Sequence, residues 1–479
     1  MTDENRVKRL IGLIDAKAGA FTDVSDSIWG YAETRFNLER SAGLLSSVLK
    51  REGFGVSRGV AGMDHALVAS YGSGSPVIGI LAEYDALSNL AQESDVMEKR
   101  AAEPGGGHGC GHNALGAGAL AAAVGLKDFL ASSPREGTIK FFGCPAEESG
   151  SGKAFMARAG VFDETDVMLT WHPWTETRIW GQSSLANYQV YFHFKGISSH
   201  AAASPDMGRS ALDSLELMSV GVNYLREHIV QEARIHYAYT NAGGMSPNVV
   251  QSDASALYFI RAPKSGQVRR IFERVADIAR GAALMSRTTM EIEWDSACAE
   301  YIVNEALGRV MYENMKKLGN LKYSDGEMEY ARRFTATLQD GSRQGVTSLI
   351  RKCFPDIDGE QAMRMASEPV LSEVFPYSMT DVAMPGSTDV GDASWIAPTA
   401  QVLVTCYPTG TQSHSWQWVA AGKSPIVHKG LIYAGKVMAM TALDVICDPE
   451  IAARAKEEHL ERLGGERYVC AIPEDVKPH

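Results

Sequence analysis

Long apolar runs are missing from this sequence. No uninterrupted apolar stretch comes near the roughly 20 residues of a membrane-spanning helix, so a membrane is not expected among its partners. Positive charge is scarce as well. Lys and Arg number 46 against 58 Asp and Glu, a net charge of −12. Phosphate binding needs a basic face, so nucleic acid is not expected as a partner either. Cysteine is sparse and odd in number, seven in 479 residues. That speaks against a disulfide framework and for a reducing, cytoplasmic location. The stretch Met1 to Lys17 is charged throughout and lacks the apolar centre of a signal peptide.

What is present is an ordinary globular composition, 45% apolar and 22% charged, in a chain too long for one core. Ala42, Leu45, Val48 and Leu49 recur at helical spacing, with Gly53 as a stop. Short apolar runs at His65–Ser70, Val77–Ala82, Thr138–Phe142 and Val167–Thr170 read as buried strands, and Ala114–Leu130 as a small-residue helix. Strands alternating with helices predict an α/β unit with a mostly parallel sheet.

Near Ala186 the pattern changes. Tyr188–Phe194, a helix from about Arg209, strands near His236–Thr240 and Ala256–Arg261, a helix carrying Val268, Ile271, Val275 and Ile278, and the strand Met290–Trp294 follow in turn. This βαββαβ order is ferredoxin-like. The α/β signals resume afterwards with Val402–Cys406 and Val427–Met440. The expected organisation is a first part of the main domain over 1–185, an inserted domain over 186–297, and the rest of the main domain over 298–479. The segment Tyr323–Pro385 reads as polar and irregular with helical excursions above the site, and the residues from about Glu457 as a solvated tail.

The chemistry concentrates in a few places. In His108-Gly109-Cys110-Gly111-His112-Asn113, glycines flank the cysteine, so the backbone can aim Cys110 and His112 at one point. A thiolate beside an imidazole suits zinc, manganese, cobalt or nickel, although a glycine-rich loop with an incidental cysteine looks the same in isolation. Glu147 and Glu148 follow a predicted strand. Adjacent carboxylates there need a cation or solvent, and they could equally be solvated loop acids. On the functional reading one binds metal while the other moves a proton. His172 and His414 also sit just past predicted strands, where a lone histidine is commonly structural. Convergence distinguishes the readings. Four clusters at strand ends of one sheet supply one sulfur, three imidazoles and one or two carboxylates, enough for two metals.

On the inserted unit, His200 follows the first strand and could donate a hydrogen bond to a developing oxyanion, in its own subunit or a partner's. Arg261 ends an apolar strand and could clamp a substrate carboxylate. Asn248 follows Pro247 on the same unit. A thiol hydrolase with Cys110 as nucleophile and His112 or His108 as base is the non-metal alternative.

These residues together resemble the aminoacylase/carboxypeptidase G superfamily of dinuclear-metal peptidases, in its amidohydrolase branch. Its markers here are Glu83-Tyr84-Asp85-Ala86-Leu87, His108 to His112, Pro145-Ala146-Glu147-Glu148, Lys195 to Ala202, Ser246 to Val250, Gly391-Asp392 and His414. The blocks Gly150 to Lys153 and Gly386 to Asp392 add to them. The resemblance implies a zinc-peptidase-like catalytic domain and makes the inserted domain a dimerisation domain. It implies two divalent ions, manganese or zinc with cobalt or nickel possible, held by Cys110, His112, Glu148, His172 and His414. Glu147 becomes the general base, His200 an oxyanion donor acting in the neighbouring subunit, and Asn248 and Arg261 contacts to the substrate's carboxylate end. The implied reaction is hydrolysis of an N-acyl or N-aroyl amino acid, with aminobenzoyl-glutamate-like substrates favoured. Implied alternatives are a dipeptidase, an aryl-amine hydrolase, or a partner subunit of a heteromeric hydrolase. A homodimer is expected, with a related second subunit possible. The sequence departs from the branch at Asn113, where Asp is usual, and after Leu87, where Pro is usual.

Overall fold

Small residues bring the central layers close together. In the computed structural model, which describes residues 3–102, 105–339 and 341–478, the helix His112–Leu130 packs directly on a sheet. A Cβ on its Gly118 would meet the Trp171 ring at 2.7 Å, so only glycine permits this approach. Residues 1, 2 and 479, at the ends of the expected first and last domain segments, lie outside the described residues.

That sheet has seven strands: β1 (Gly55–Arg58), β2 (Leu67–Ser73), β3 (Val77–Glu83), β4 (Gly137–Cys144), β5 (Val167–Trp174), β6 (Arg178–Ile179) and β11 (Thr399–Thr405). The order is β1-β2-β4-β3-β5-β11-β6. The core β4-β3-β5-β11 is parallel, and β2 and β6 join it, and β1 joins β2, through antiparallel pairs. Every residue of β11 is buried, as a strand covered on both faces requires. The helices His112–Leu130 and Pro425–Cys447 cover one face. By length and composition Pro425–Cys447 could cross a membrane, although His428, Lys429 and Lys436 interrupt its apolar run. Most of it is buried against the central sheet and the helix His112–Leu130.

The second sheet holds β7 (Ala186–Lys195), β8 (Arg234–Asn241), β9 (Asp253–Ala262) and β10 (Thr289–Cys298), antiparallel in the order β10-β7-β9-β8. With the helices Ala211–Leu225 and Ser265–Ser286 they follow the expected βαββαβ order. Val190, Phe192 and Phe194 alternate inward against those helices. The opposite face of the same strands carries Asn187, Gln189, Phe259 and Arg261, which register side by side.

Two stretches are better ordered than their composition suggests. Residues 323–385 hold three helices, Asp325–Thr335, Gln344–Cys353 and Gly359–Ser367. The last two share a small core of Ile350, Ala362, Leu371 and Phe375. The expected solvated tail from Glu457 is corrected. The helix Pro449–Leu463 continues through it, and the chain beyond docks. Arg158 donates to the carbonyls of Pro473 at 2.7 Å and Val476 at 3.0 Å, Tyr468 donates to Asp392 at 2.8 Å, and Ile472 is buried. These anchors are long-range hydrogen bonds, which local composition does not reveal.

Candidate metal centre

Parallel strands end on one edge, so the loops that leave them meet there. Glu83 ends β3 and Asp85 follows it; Glu147 and Glu148 come after β4; His172 lies near the end of β5; His414 is in the loop after β11. Cys110 and His112 arrive at the start of the helix that covers these strands. Gly111 between them has φ +85°, and a Cβ there would meet Pro173 and the Tyr407 hydroxyl at 2.7 Å. The His414 backbone N–H donates to the Gly109 carbonyl at 2.7 Å, tying the two loops together. Ala146 and His414 both hold φ +59°, a conformation that non-glycine residues adopt at a cost.

The five expected donors come together. Cys110 Sγ lies 3.3 Å from His172 Nε2. His172 Nδ1 is 2.8 Å from the Pro173 carbonyl and donates to it, so its Nε2 lone pair faces the thiol. His112 Nδ1 lies 3.1 Å from Asp85 Oδ1, whose other oxygen accepts from the Glu148 backbone N–H at 3.0 Å. His414 Nε2 lies 3.6 Å from Glu148 Oε2. Three overlapping groups have donor atoms within 4.8 Å of one another: Cys110, His112 and His172; Cys110, Glu148 and His414; and Glu83, His112 and Glu147. His112 Nε2 and Glu148 Oε1 are buried without a hydrogen-bond partner. Buried polar atoms are rarely left so, and one sulfur, three imidazoles and carboxylates form a donor set suited to zinc or manganese. The residues therefore fit a pair of divalent cations.

Burial dominates the electrostatics. It lifts Glu147 well above the ordinary carboxylate range, aided by the negative charge of Glu83, and lifts Glu148 to about 7. It depresses His172 to about 4. Burial also opposes charging His112, but Asp85, Cys110 and Glu83 outweigh it and hold that imidazole well above its usual value. Burial and then Glu148 push the Cys110 thiol up, which disfavours a free thiolate nucleophile. His108 is buried against the Ile28 carbonyl at 3.0 Å, an arrangement that serves the fold and not the thiol.

The inserted unit's residues divide. Arg261 lines a cavity of about 150 Å³ together with Glu147 and the donors Glu148 and His414. Its guanidinium stacks on Phe259 at 4.0 Å and its Nε has no partner. His200 and Asn248 are exposed on adjoining loops, joined by the Ala201 N–H to the Asn248 carbonyl, and do not line this cavity. Two Ala backbone N–H groups donate to His200 Nδ1.

Four charged residues around the donors stood in the marker blocks of the sequence without a role assigned to any of them. Asp85 orients His112; Lys153, Glu83 and Asp389 form a buried ionic group beside it. A signal existed. Glu83 closes the otherwise apolar strand Val77–Glu83, and Lys153 is the one charge before Arg158 in the otherwise uncharged short helix Gly152–Arg158.

Comparison with known proteins agrees with this geometry. The profile of peptidase family M20/M25/M40 matches residues 79–417. The chain is 44% identical to one of the subunits of p-aminobenzoyl-glutamate hydrolase from Escherichia coli, over 97% of both proteins. It is 28% identical to the Xaa-Arg dipeptidase of Mus musculus, over 96% of this chain and 94% of that one. A crystal structure of a dinuclear metal-binding peptidase from Bacillus subtilis shares the fold at a TM-score of 0.55 and 15% identity, covering 90% of this chain and 99% of that one.

Proposed function

The chain belongs to peptidase family M20/M25/M40 and is a hydrolase of amide bonds, and from that premise we propose that it cleaves an N-acyl or N-aroyl amino acid of the p-aminobenzoyl-glutamate kind. The observation that carries this reading is the cavity lined together by Glu147, the donors Glu148 and His414, and Arg261, which forms no ion pair with a carboxylate among the described residues. One wall offers proton transfer and metal donors, the other a fixed cation for a carboxylate.

Cys110, His112, Glu148, His172 and His414 would hold two divalent ions, manganese or zinc, with cobalt and nickel also suited to the donors. Bound there, such ions supply Lewis acidity and make water acidic enough to react near neutral pH. The chain's own residues do the rest. Arg261 receives the substrate's carboxylate in bidentate fashion and so fixes the amide toward the donors, while Asn248, apart from the cavity in its own chain, would reach that end only from a second copy. A carboxylate Oε of Glu147 takes the proton of the attacking water and returns it to the leaving nitrogen. His200 of a second copy of the chain donates to the tetrahedral oxyanion, since within its own chain it stands apart from the cavity.

A second copy has a natural seat. The edge strand β8 is exposed, and Val220 and Tyr224 are exposed on the outer face of the helix Ala211–Leu225. We read residues 186–297 as the dimerisation domain between the two parts of the catalytic domain. The Escherichia coli relative is by name one subunit of its enzyme, which makes a related but different chain the alternative partner. All seven cysteines are free, which suits a reducing cytoplasm.

The test is hydrolysis by the Mn²⁺- or Zn²⁺-reconstituted protein of p-aminobenzoyl-glutamate, N-acetyl amino acids and dipeptides ending in arginine. Release of p-aminobenzoate at the highest kcat/KM is expected. Preference for the dipeptides would move the chain to the dipeptidase reading, and no turnover of any of them would refute the proposal.

A further inference from the structure

Behind the five expected donors lies a charged cluster to which that reading assigns nothing. Lys153 has no exposed surface, and its Nζ lies 2.6 Å from Glu83 Oε1 and 2.5 Å from Asp389 Oδ1. Its backbone N–H donates to Asp389 Oδ2 at 2.9 Å. A lysine paired with Asp389 alone would already be neutral. Glu83 therefore adds a third buried charge, and burying charge is costly unless it serves a partner.

The geometry identifies that partner's place. Lys153 holds one oxygen of Glu83, so the other is fixed, 3.2 Å from His112 Nε2. Asp85 holds His112 at Nδ1, so Nε2 is fixed as well. The two atoms face each other, yet His112 Nε2 makes no hydrogen bond. An imidazole nitrogen and a carboxylate oxygen, each pinned from behind, converge at ion-pair distance without a hydrogen bond between them. A Glu147 carboxylate oxygen lies within 4.8 Å of both.

We propose that Glu83 is a further cation-facing carboxylate of this centre, and that Lys153 is the positioning residue that holds it there. The proposal rests on the metallohydrolase reading and adds a donor to it. Glu83 supplies negative charge on the His112 side, where the five expected donors include no other carboxylate. Lys153 keeps Glu83 from swinging away when His112 Nε2 turns its lone pair to a cation, and through Asp389 it ties that carboxylate to the loop before the helix Val390–Ile396.

The test uses the full-length metal-free protein and Mn²⁺ alone, followed by calorimetric titration, with Co²⁺ forms compared by visible absorption. Glu83→Gln is expected to keep the wild-type circular dichroism, to bind Mn²⁺ at one of two sites about 10–100-fold more weakly, and to change the Co²⁺ spectrum. Lys153→Met is expected to alter affinity at that same site, and the alteration should vanish in the Glu83→Gln background. Identical Mn²⁺ isotherms for wild type and Glu83→Gln overturn the proposal. A Lys153→Met effect that persists undiminished without Glu83 overturns the positioning role. Should Lys153→Met fail to fold, the Glu83→Gln isotherm decides the proposal alone. Wild-type protein that binds neither Mn²⁺ nor Co²⁺ refutes instead the metallohydrolase reading beneath it.

Discussion

The two sheets present function in different ways. In the seven-stranded sheet the parallel core is buried on both faces, so its free places are strand ends, and the donors gather along that edge, three after strands or near their ends and two at the start of the covering helix. Glu83, Asp85, Lys153 and Asp389 are all nearly or fully buried beside those donors. The four-stranded sheet is covered by helices on one face and leaves the other available. Its contribution, Arg261 with Asn187 and Gln189, comes from strand faces in register and not from strand ends. A parallel sheet collects groups from distant parts of the chain at one edge, which suits a rigid metal centre. An antiparallel sheet spreads neighbours over a surface, which suits contact with a substrate or a second copy of the chain. On the proposed roles of Glu147 and Arg261, the molecule separates chemistry from recognition.

The strongest challenge to that division is a pair of variants. Glu147→Gln should lower kcat by about 10²–10⁴-fold while metal content stays at the wild-type level, because glutamine cannot carry the proton. Arg261→Ala should act on binding. Hydrogen bonds to a charged group are worth about 1.5–3 kcal/mol, so kcat/KM should fall about 10–100-fold, mostly through KM. Steady-state kinetics with metal analysis separates the two. An Arg261→Ala protein that lost kcat as heavily as Glu147→Gln would dissolve the distinction between the sheets.

A smaller effect probes whether recognition crosses between subunits. Inactive His200→Ala and inactive Glu147→Gln chains, mixed in equal amounts and exchanged, should recover about a quarter of wild-type activity. Half the dimers are then mixed, and each mixed dimer has one intact composite site of two. Activity that stays absent after exchange is demonstrated by mass would confine His200 to its own chain.

Much of this was legible in the sequence, and the parts that were not share a cause. The strands β3, β4, β5 and β11 fall where short apolar runs lie between turn residues, and Cys110, His112, Glu148, His172 and His414 meet as their positions after those strands imply. Strand ends are local features, and parallel pairing converts them into one site. Lys153 and Asp389 were less accessible. They stand 236 positions apart, and only the packing of the helix Gly152–Arg158 against the helix Val390–Ile396 joins them. The tail was misread for the same reason. Its hold comes from Arg158 and Asp392, far away in sequence, and its own residues lack the periodicity that announces a packed segment.

The smallest expected effect asks whether the two sheets are also separate in stability. Each has a helix capped by a serine. Ser210 Oγ accepts from the Asp213 N–H at 3.0 Å at the start of Ala211–Leu225, behind the four-stranded sheet. Ser424 Oγ accepts from the Val427 N–H at 3.3 Å at the start of Pro425–Cys447, behind the seven-stranded one. Loss of such a cap costs about 1 kcal/mol, a shift of roughly 2 °C or less for a chain of this size. Ser424 is fully buried, so its loss leaves an amide without water and should cost more than that of exposed-side Ser210. If the sheets melted apart, each alanine would move a different transition. One apolar cluster, however, runs from Leu81, Phe142 and Met168 of the large sheet to Val190, Phe192 and Ile260 of the small one, with Ile472 of the docked tail in it. A shared core couples the units, so calorimetry should show one transition that both Ser210→Ala and Ser424→Ala lower. Two transitions, each answering to one serine, would show that the separation of chemistry from recognition extends to folding as well.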